Sequence, residues 1–265
     1  MKWTNDKIEL LKQLYPNSSW EILLTEFPVS QNTISSVANK NKIKRIVRGS
    51  NSYLKHDQIL FDTWTEKSAY ILGYLEADGC ILNNKKEEPS IRVQFACSKK
   101  DEIFLEYLKE IVSFTGKITQ KSYELGGKGT GGKIHQFVSF TVSSRYWKGQ
   151  LEKNFRKQKV PEEISSNLLN HYIRGYFDGD GSVYKEKKTG YIRSNFVSSS
   201  FELMESIAKI LRPITGSILT IYKKTGGKQC WYINLGCEAT KKLGNWMYKE
   251  ATFFLKRKKE RFCLL

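Results

Sequence analysis

At 265 residues, 40% of them hydrophobic, the chain has enough length for one substantial domain plus a small one, each with its own apolar core. Lys and Arg total 44 against 27 Asp and Glu, so the formal charge of +17 produces a field suited to a polyanion such as nucleic acid. No run of about 18 apolar residues exists and the N-terminus lacks a signal-peptide layout, which sets aside a membrane role. The five scattered cysteines (Cys80, Cys97, Cys230, Cys237, Cys263) form no CxxC pair, so neither a disulfide framework nor a zinc site is expected. The expectation is a cytoplasmic, nucleoid-associated protein with reduced cysteines.

Residues 1–48 read as three short helices: Thr4 to Tyr15, Trp20 to Phe27 after Ser19, and Gln31 to Asn41 after Ser30. Ile8, Leu11, Ile22, Leu23, Ile34, Val37 and Ala38 recur at helical spacing and should share one core. The short break between the second and third helices suits a helix-turn-helix, and Lys40, Lys42, Lys44, Arg45 and Arg48 follow the would-be recognition helix, placed to track phosphates. A plain three-helix packing module with a solvated basic end is the alternative. Residues 49–64 carry little pattern and read as a linker.

From residue 65 to 265 the sequence repeats itself, with repeat 1 at about 65–165 and repeat 2 at about 166–265. The stretch Tyr70-Ile71-Leu72-Gly73-Tyr74-Leu75-Glu76-Ala77-Asp78-Gly79-Cys80-Ile81 returns 102 positions later as Tyr172-Ile173-Arg174-Gly175-Tyr176-Phe177-Asp178-Gly179-Asp180-Gly181-Ser182-Val183, with six of twelve positions identical. A short strand, a second strand (Ser90 to Cys97; Tyr191 to Ser198) and a helix (Asp101 to Ser113; Phe201 to Leu211) follow each copy, then a second hairpin and a closing helix. The fold class is therefore α+β: two pseudo-symmetric αββαββα repeats forming a saddle of antiparallel sheets, plus a small all-α N-terminal domain.

The motif helix should start after Thr65 and stop at Gly79, where glycine can take the left-handed conformation. Gly73 and Ala77 share one helix face, as do Gly175 and Gly179. Small residues at that spacing let two helices approach closely, so the two motif helices should pack on each other with their C-termini side by side. Asp78 and Asp180 then meet at two negative dipole ends, an arrangement that a divalent cation would relieve, and an all-oxygen site with room for water favours Mg²⁺. Metal-assisted phosphodiester hydrolysis follows from that pairing. A lone Asp-Gly would be only a turn; the duplication is what argues for chemistry.

The segments "ILGYLEADG" and "IRGYFDGDG" resemble the nine-residue signature of the LAGLIDADG homing endonucleases, and the likeness extends over roughly residues 65 to 262. It implies a single chain that makes a double-strand break in a long, non-palindromic DNA site. It also implies that Asp78 and Asp180 hold the metal, that the carbonyls of Ala77 and Gly179 add ligand oxygen, and that Glu76 and Asp178 give support or capping. Basic residues near the end of each repeat, here Lys159 in "NFRKQKVP" and Lys258 in "FFLKRKKERF", would stabilise charge on the phosphate or position water. Tyr74 and Tyr176 stand where Leu is usual, and Arg174, in place of a small residue, must point away from the helix pair.

For DNA reading, Ile91, Val93, Phe95 and Cys97 alternate with Arg92, Gln94 and Ser98, and aligning Phe196 with Phe95 sets Arg193 on Arg92 and Asn195 on Gln94. Arg suits guanine and Gln or Asn suits adenine in the major groove. Lys121 and Lys223, on the strands that lead to the Gly-rich tips, are assigned to flanking phosphates. The partner is double-stranded DNA, with the RNA of a host intron as a second candidate, and the protein is expected to be a monomer. The rival reading is a non-cleaving nucleic-acid clamp of the same fold, an RNA maturase or a transcriptional regulator. His56, His135 and His171 are too dispersed for a His-based metal finger, and no self-splicing junction signature is present, which points to a free-standing or intron-encoded protein.

Overall fold

The computed structural model describes residues 3–263 apart from 17, 19, 45–54, 83–88, 126–132, 156–157 and 226–228, and apart from the side chains of 123–125 and 133. The chain forms two compact units, Met1–Lys55 and His56–Leu265.

In the first unit, α1 (Asn5–Leu14), α2 (Trp20–Glu26) and α3 (Gln31–Lys40) enclose a core of Leu11, Tyr15, Leu23, Phe27, Ile34, Ala38 and Ile43. Ser30 caps α3 by accepting from the Thr33 N–H at 3.2 Å. Ile22, assigned to the core by its spacing, is instead 49% exposed. The helix turns its Leu23 and Phe27 inward, four residues apart on one face, and that pair leaves Ile22 on the outside. Lys40, Lys42 and Lys44 are exposed, as a phosphate-tracking role requires; Arg45 and Arg48 lie outside the described residues.

In the second unit each repeat runs helix, two strands, helix, two strands, helix. Repeat 1 comprises α4 (Glu66–Asp78), β1 (Cys80–Leu82), β2 (Ile91–Ser98), α5 (Glu102–Ile111), β3 (Thr119–Leu125), β4 (Lys133–Ser144) and α6 (Tyr146–Asn154). Repeat 2 comprises α7 (Leu169–Asp180), β5 (Ser182–Lys185), β6 (Ile192–Ser198), α8 (Phe201–Thr215), β7 (Ile221–Lys223), β8 (Trp231–Leu235) and α9 (Cys237–Tyr248), followed by a further helix, α10 (Lys256–Phe262). Both sheets are antiparallel and have the same strand order, β1-β2-β4-β3 and β5-β6-β8-β7. Cys80 pairs with Gln94 in one and Ser182 with Asn195 in the other, so the registers superpose the repeats as the motif alignment does.

The sheet faces sort by alternation. On one face Phe95, Phe140 and Phe114 stack at centroid separations of 4.8 and 5.3 Å and form the core with α5. Tyr74 and Tyr176 owe their identity to a matching need in the two halves. Each ring lies in the core against Phe95 or Phe196, and each hydroxyl donates to a strand carbonyl, Ala96 at 2.9 Å and Val197 at 2.6 Å. A Leu in either place would leave a buried carbonyl without that donor.

Two boundaries differ from expectation. Leu60 and Phe61, assigned to a linker, are 4% and 5% exposed, and Trp147 of α6 packs edge-on to Phe61 while its indole N–H donates to the Asp57 carbonyl at 2.7 Å. Residues 56–64 thus belong to the second unit. Helix α8 runs past Pro213 to Thr215 and ends at Gly216 in the left-handed region (φ 67°), because one absent N–H near a helix end costs less than the burial of Leu211 and Thr215 returns. All five cysteines are free thiols. Among the described residues no helix is long and apolar enough to cross a membrane.

Candidate active site

Helix α4 is started by a reciprocal cap: Ser68 N–H donates to Thr65 Oγ1 at 3.2 Å and Thr65 N–H donates to Ser68 Oγ at 2.8 Å. Its inward face then meets α7 backbone to backbone. A methyl group on Gly73 would overlap the Tyr172 carbonyl oxygen, and one on Gly175 would overlap the Tyr70 carbonyl oxygen. Further along, Gly179 sits against the Cβ of Ala77, and an added methyl would stand 3.4 Å from Asp78 Oδ2. The four small residues expected at the interface are therefore the contact, and they deliver Asp78 and Asp180 to one place.

Gly79 is not in the left-handed conformation that the sequence suggested, and neither is its counterpart Gly181. Both are extended (φ −73°, ψ 149° and 155°), and the chain leaves each helix directly into β1 or β5. They are glycines because a Cβ would run into the preceding turn, at Leu75 and Phe177 respectively.

The carboxyl pair is held under electrostatic tension. Partial burial raises the Asp180 carboxyl to about 6, with the charge of Asp78 adding to the rise and Lys258 opposing it. Asp78 is also raised by burial, against the pull of Lys258 and Arg257. Beside Asp180 opens a polar cavity of about 770 Å³, lined in part by Glu76, Ala77, Gln158, Tyr176 and Glu202. Gln158 occupies the left-handed region (φ 62°), a strained backbone for a non-glycine residue, and sequence reasoning passed over it in favour of its neighbour Lys159.

Lys258 is buried, 4% exposed, and lies at the site, but in a role the sequence did not suggest. Its ammonium donates to the carbonyls of Phe177, Asp178 and Gly179 at 2.6, 2.8 and 2.8 Å, the unsatisfied end of α7. All three N–H groups are used, so in this arrangement none is aimed at a phosphate. Burial draws Lys258 down to about 8 against the charge of Asp178. Because the Gly179 carbonyl already accepts from an ammonium, a metal ion there would face a neighbouring positive charge, and Gly179 drops out of the expected ligand set. Lys159 is exposed and pairs with Glu162 at 2.7 Å, away from the carboxylates.

Around this centre Asp178 serves as support. It is 2% exposed and accepts from Tyr70 and Tyr248 hydroxyls at 2.7 Å each and from the Leu255 N–H at 2.9 Å, tying α4, α7, α9 and the segment before α10 together. Arg174 does not point away from the helix pair. It is fully buried, its guanidinium lying over the Tyr70 ring of α4 at 5.2 Å, and it donates to the Met247 and Phe253 carbonyls at 2.8 and 3.1 Å. The periodicity of α7 gave no sign of this because the carbonyls that receive it come from the end of α9 and the segment after it, more than 70 residues on.

On the face of each sheet away from the helices, Arg92 and Gln94 occupy the positions that Arg193 and Asn195 occupy in repeat 2. Arg193 is paired with Glu186 at 3.1 Å, and Asn195 Oδ1 is buried with no hydrogen-bond partner among the described residues. Lys121, opposite Phe137, shares this open face. Lys223 does not: it is opposite Trp231, on the helix side, with its ammonium 5.5 Å from the Trp231 ring. The residue that takes the open face of β7 is Tyr222, stacked with Tyr232 at 5.5 Å. Sequence pattern puts Lys223 one position out of register because β7 is only three residues long.

Residues 167–242 match the family model described as a LAGLIDADG-like domain. No curated protein matches the chain. Among solved structures, the homing endonuclease I-WcaI bound to its DNA recognition sequence is similar at 15% identity and a TM-score of 0.51, over 81% of this chain and 95% of that one. I-DmoI in complex with DNA and Ca gives 17% identity, 75% and 96% coverage and a TM-score of 0.48. The meganuclease I-SmaMI bound to uncleaveable DNA gives 15%, 74%, 89% and 0.46.

Proposed function

From a chain with the two-repeat LAGLIDADG fold, we propose a site-specific DNA endonuclease that makes a double-strand break in a long, non-palindromic duplex by divalent-metal-assisted hydrolysis. The observation that carries this reading is the convergence of Asp78 and Asp180 at the ends of two helices packed without space for a methyl group between them. A fold maintained only for binding has no need to hold two carboxylates in mutual repulsion within a molecule of charge +17.

The donor set fits a hard cation. Two carboxylates, with the Ala77 carbonyl as a further oxygen, would hold Mg²⁺, and the remaining positions would go to water and phosphate oxygens. Among the described residues no group of three or more His, Cys, Asp or Glu side chains is placed to hold a metal ion by itself. Bound there, the cation would supply Lewis acidity and an activated water. The chain itself does the rest: Asp78 and Asp180 fix the position of that charge, Lys258 keeps the end of α7 from adding its own negative potential, and Asp178 holds the elements behind them rigid.

Arg92, Gln94, Arg193 and Asn195 would read base edges from the open sheet faces, the orphaned Asn195 oxygen being suited to accept from an adenine amino group. Lys121 and, in the first unit, Lys40, Lys42 and Lys44 would contact phosphates, with the three-helix unit acting as an auxiliary DNA-binding module. The test is a selection of cleaved duplexes from a randomised DNA library with Mg²⁺. Wild type should yield cut sites and Asp180→Asn should bind the same sites intact. Binding without any cleavage by wild type would leave the non-cleaving clamp as the function.

A further inference from the structure

Among the described residues the positive side of the centre does not come from one residue per repeat. Helix α10 carries Arg257 and Lys258 in succession, and a step of about 100° on a helix sends them different ways. Lys258 goes to repeat 2, where it caps α7. Arg257 goes to repeat 1: its Nε donates to Asp101 Oδ1 and Oδ2 at 2.9 and 3.1 Å, and its Nη2 donates to Oδ2 at 2.9 Å. Asp101, in the turn between β2 and α5, has only 12% of its side chain exposed, whereas Arg257 is half exposed. One edge of the guanidinium is thereby fixed in plane, and Nη1, on the other edge, has no partner among the described residues.

We propose that Arg257, held by Asp101, is the second cation of the reaction centre, on the Asp78 side, and that its Nη1 edge meets the backbone phosphate there. The inference rests on the endonuclease reading above and adds a residue to it: among the described residues α10 supplies a cation to each half, while Lys159 is paired with Glu162. Charge effects agree with the geometry. Arg257 and Lys258 both lie near enough to Asp78 for their charges to act on it, whereas of the two only Lys258 acts on Asp180. The fork on Asp101 joins the repeats through one edge of the guanidinium and leaves the other edge, on a half-exposed side chain, available to a ligand.

The experiment is single-turnover cleavage of a duplex recovered from a randomised library, with Mg²⁺, alongside binding of the same duplex and thermal melting of each protein. Arg257→Met is expected to slow cleavage roughly 10- to 100-fold with binding changed less than about threefold, Arg257→Lys to recover part of the rate, and Lys159→Met to cut as wild type does. The charge swap Asp101→Arg with Arg257→Asp re-forms the ion pair, so it should melt like wild type yet stay slow. Restored cleavage in the swap would mean that the pair is only a structural tie and would overturn the proposal. So would an Arg257→Met protein that cuts at the wild-type rate, and in that case the endonuclease reading stands. Wild type that cuts none of the duplexes it binds overturns that reading and this one together.

Discussion

Asp180 shows how a residue proposed to hold a metal can weigh against stability. Its folded-state carboxyl is raised from 3.8 to about 6, so between those values the folded chain holds a proton that the unfolded chain releases. Stability from this group is full below about pH 4 and is lost as the pH rises through 6, which makes the ionised pair a burden at neutral pH without metal. Asp180→Asn should therefore stabilise the metal-free protein by about 1–3 kcal/mol at pH 7.5, with the gain vanishing near pH 4. Urea unfolding in a chelator at the two values measures this, and a variant less stable at pH 7.5 would count against the charge pair. Lys258 is the counterpart case. Lys258→Met leaves three α7 carbonyls without their donor, and a loss of roughly 2–4 kcal/mol in the same assay is expected.

At the scale of elements, the packing of α4 on α7 makes a sharp demand. Gly73→Ala or Gly175→Ala places a methyl against backbone of the other helix, where no side-chain rotation can relieve it. Each should cost about 2–4 kcal/mol, read from the denaturation midpoint, while Gly149→Ala on the open side of α6 should be neutral or slightly favourable. This interface was legible from sequence because it is encoded twice, in register, by residue size. So was the division of the β2 and β6 faces, since the alternation around Phe95 and Phe196 has period two in both copies. What was not legible depends on contacts made across long separations. Arg174 is satisfied by Met247 and Phe253, Lys258 by Phe177 to Gly179, and Gln158 reaches the cavity through a left-handed backbone, none of which leaves a mark on local periodicity. Lys223 was misplaced for a related reason: a three-residue edge strand carries too little alternation to specify which face each residue takes.

For the whole molecule, the charge of +17 and the two-unit organisation lead to a prediction about affinity. The first unit has its own core and a basic end, so removing Met1–Lys55 should leave the cleavage step intact but weaken binding and flatten its dependence on salt, as fewer phosphates are neutralised. Filter binding of the full chain and of His56–Leu265 across a salt series compares the two slopes; equal slopes would show that the three-helix unit does not touch DNA. The two-repeat organisation was readable at once from the duplicated motif, whereas the unit boundary was not, because Leu60 and Phe61 lack any periodic context and find their place only against Trp147.

The central claim, that the joined ends of α4 and α7 hold divalent ions against DNA, is tested most directly by crystals of the full chain with a selected duplex and Mn²⁺, measured for anomalous scattering. Peaks are expected within bonding distance of the Asp78 and Asp180 carboxylates and next to backbone phosphate oxygens. Peaks confined to other surfaces, with both carboxylates bare beside the bound duplex, would contradict it.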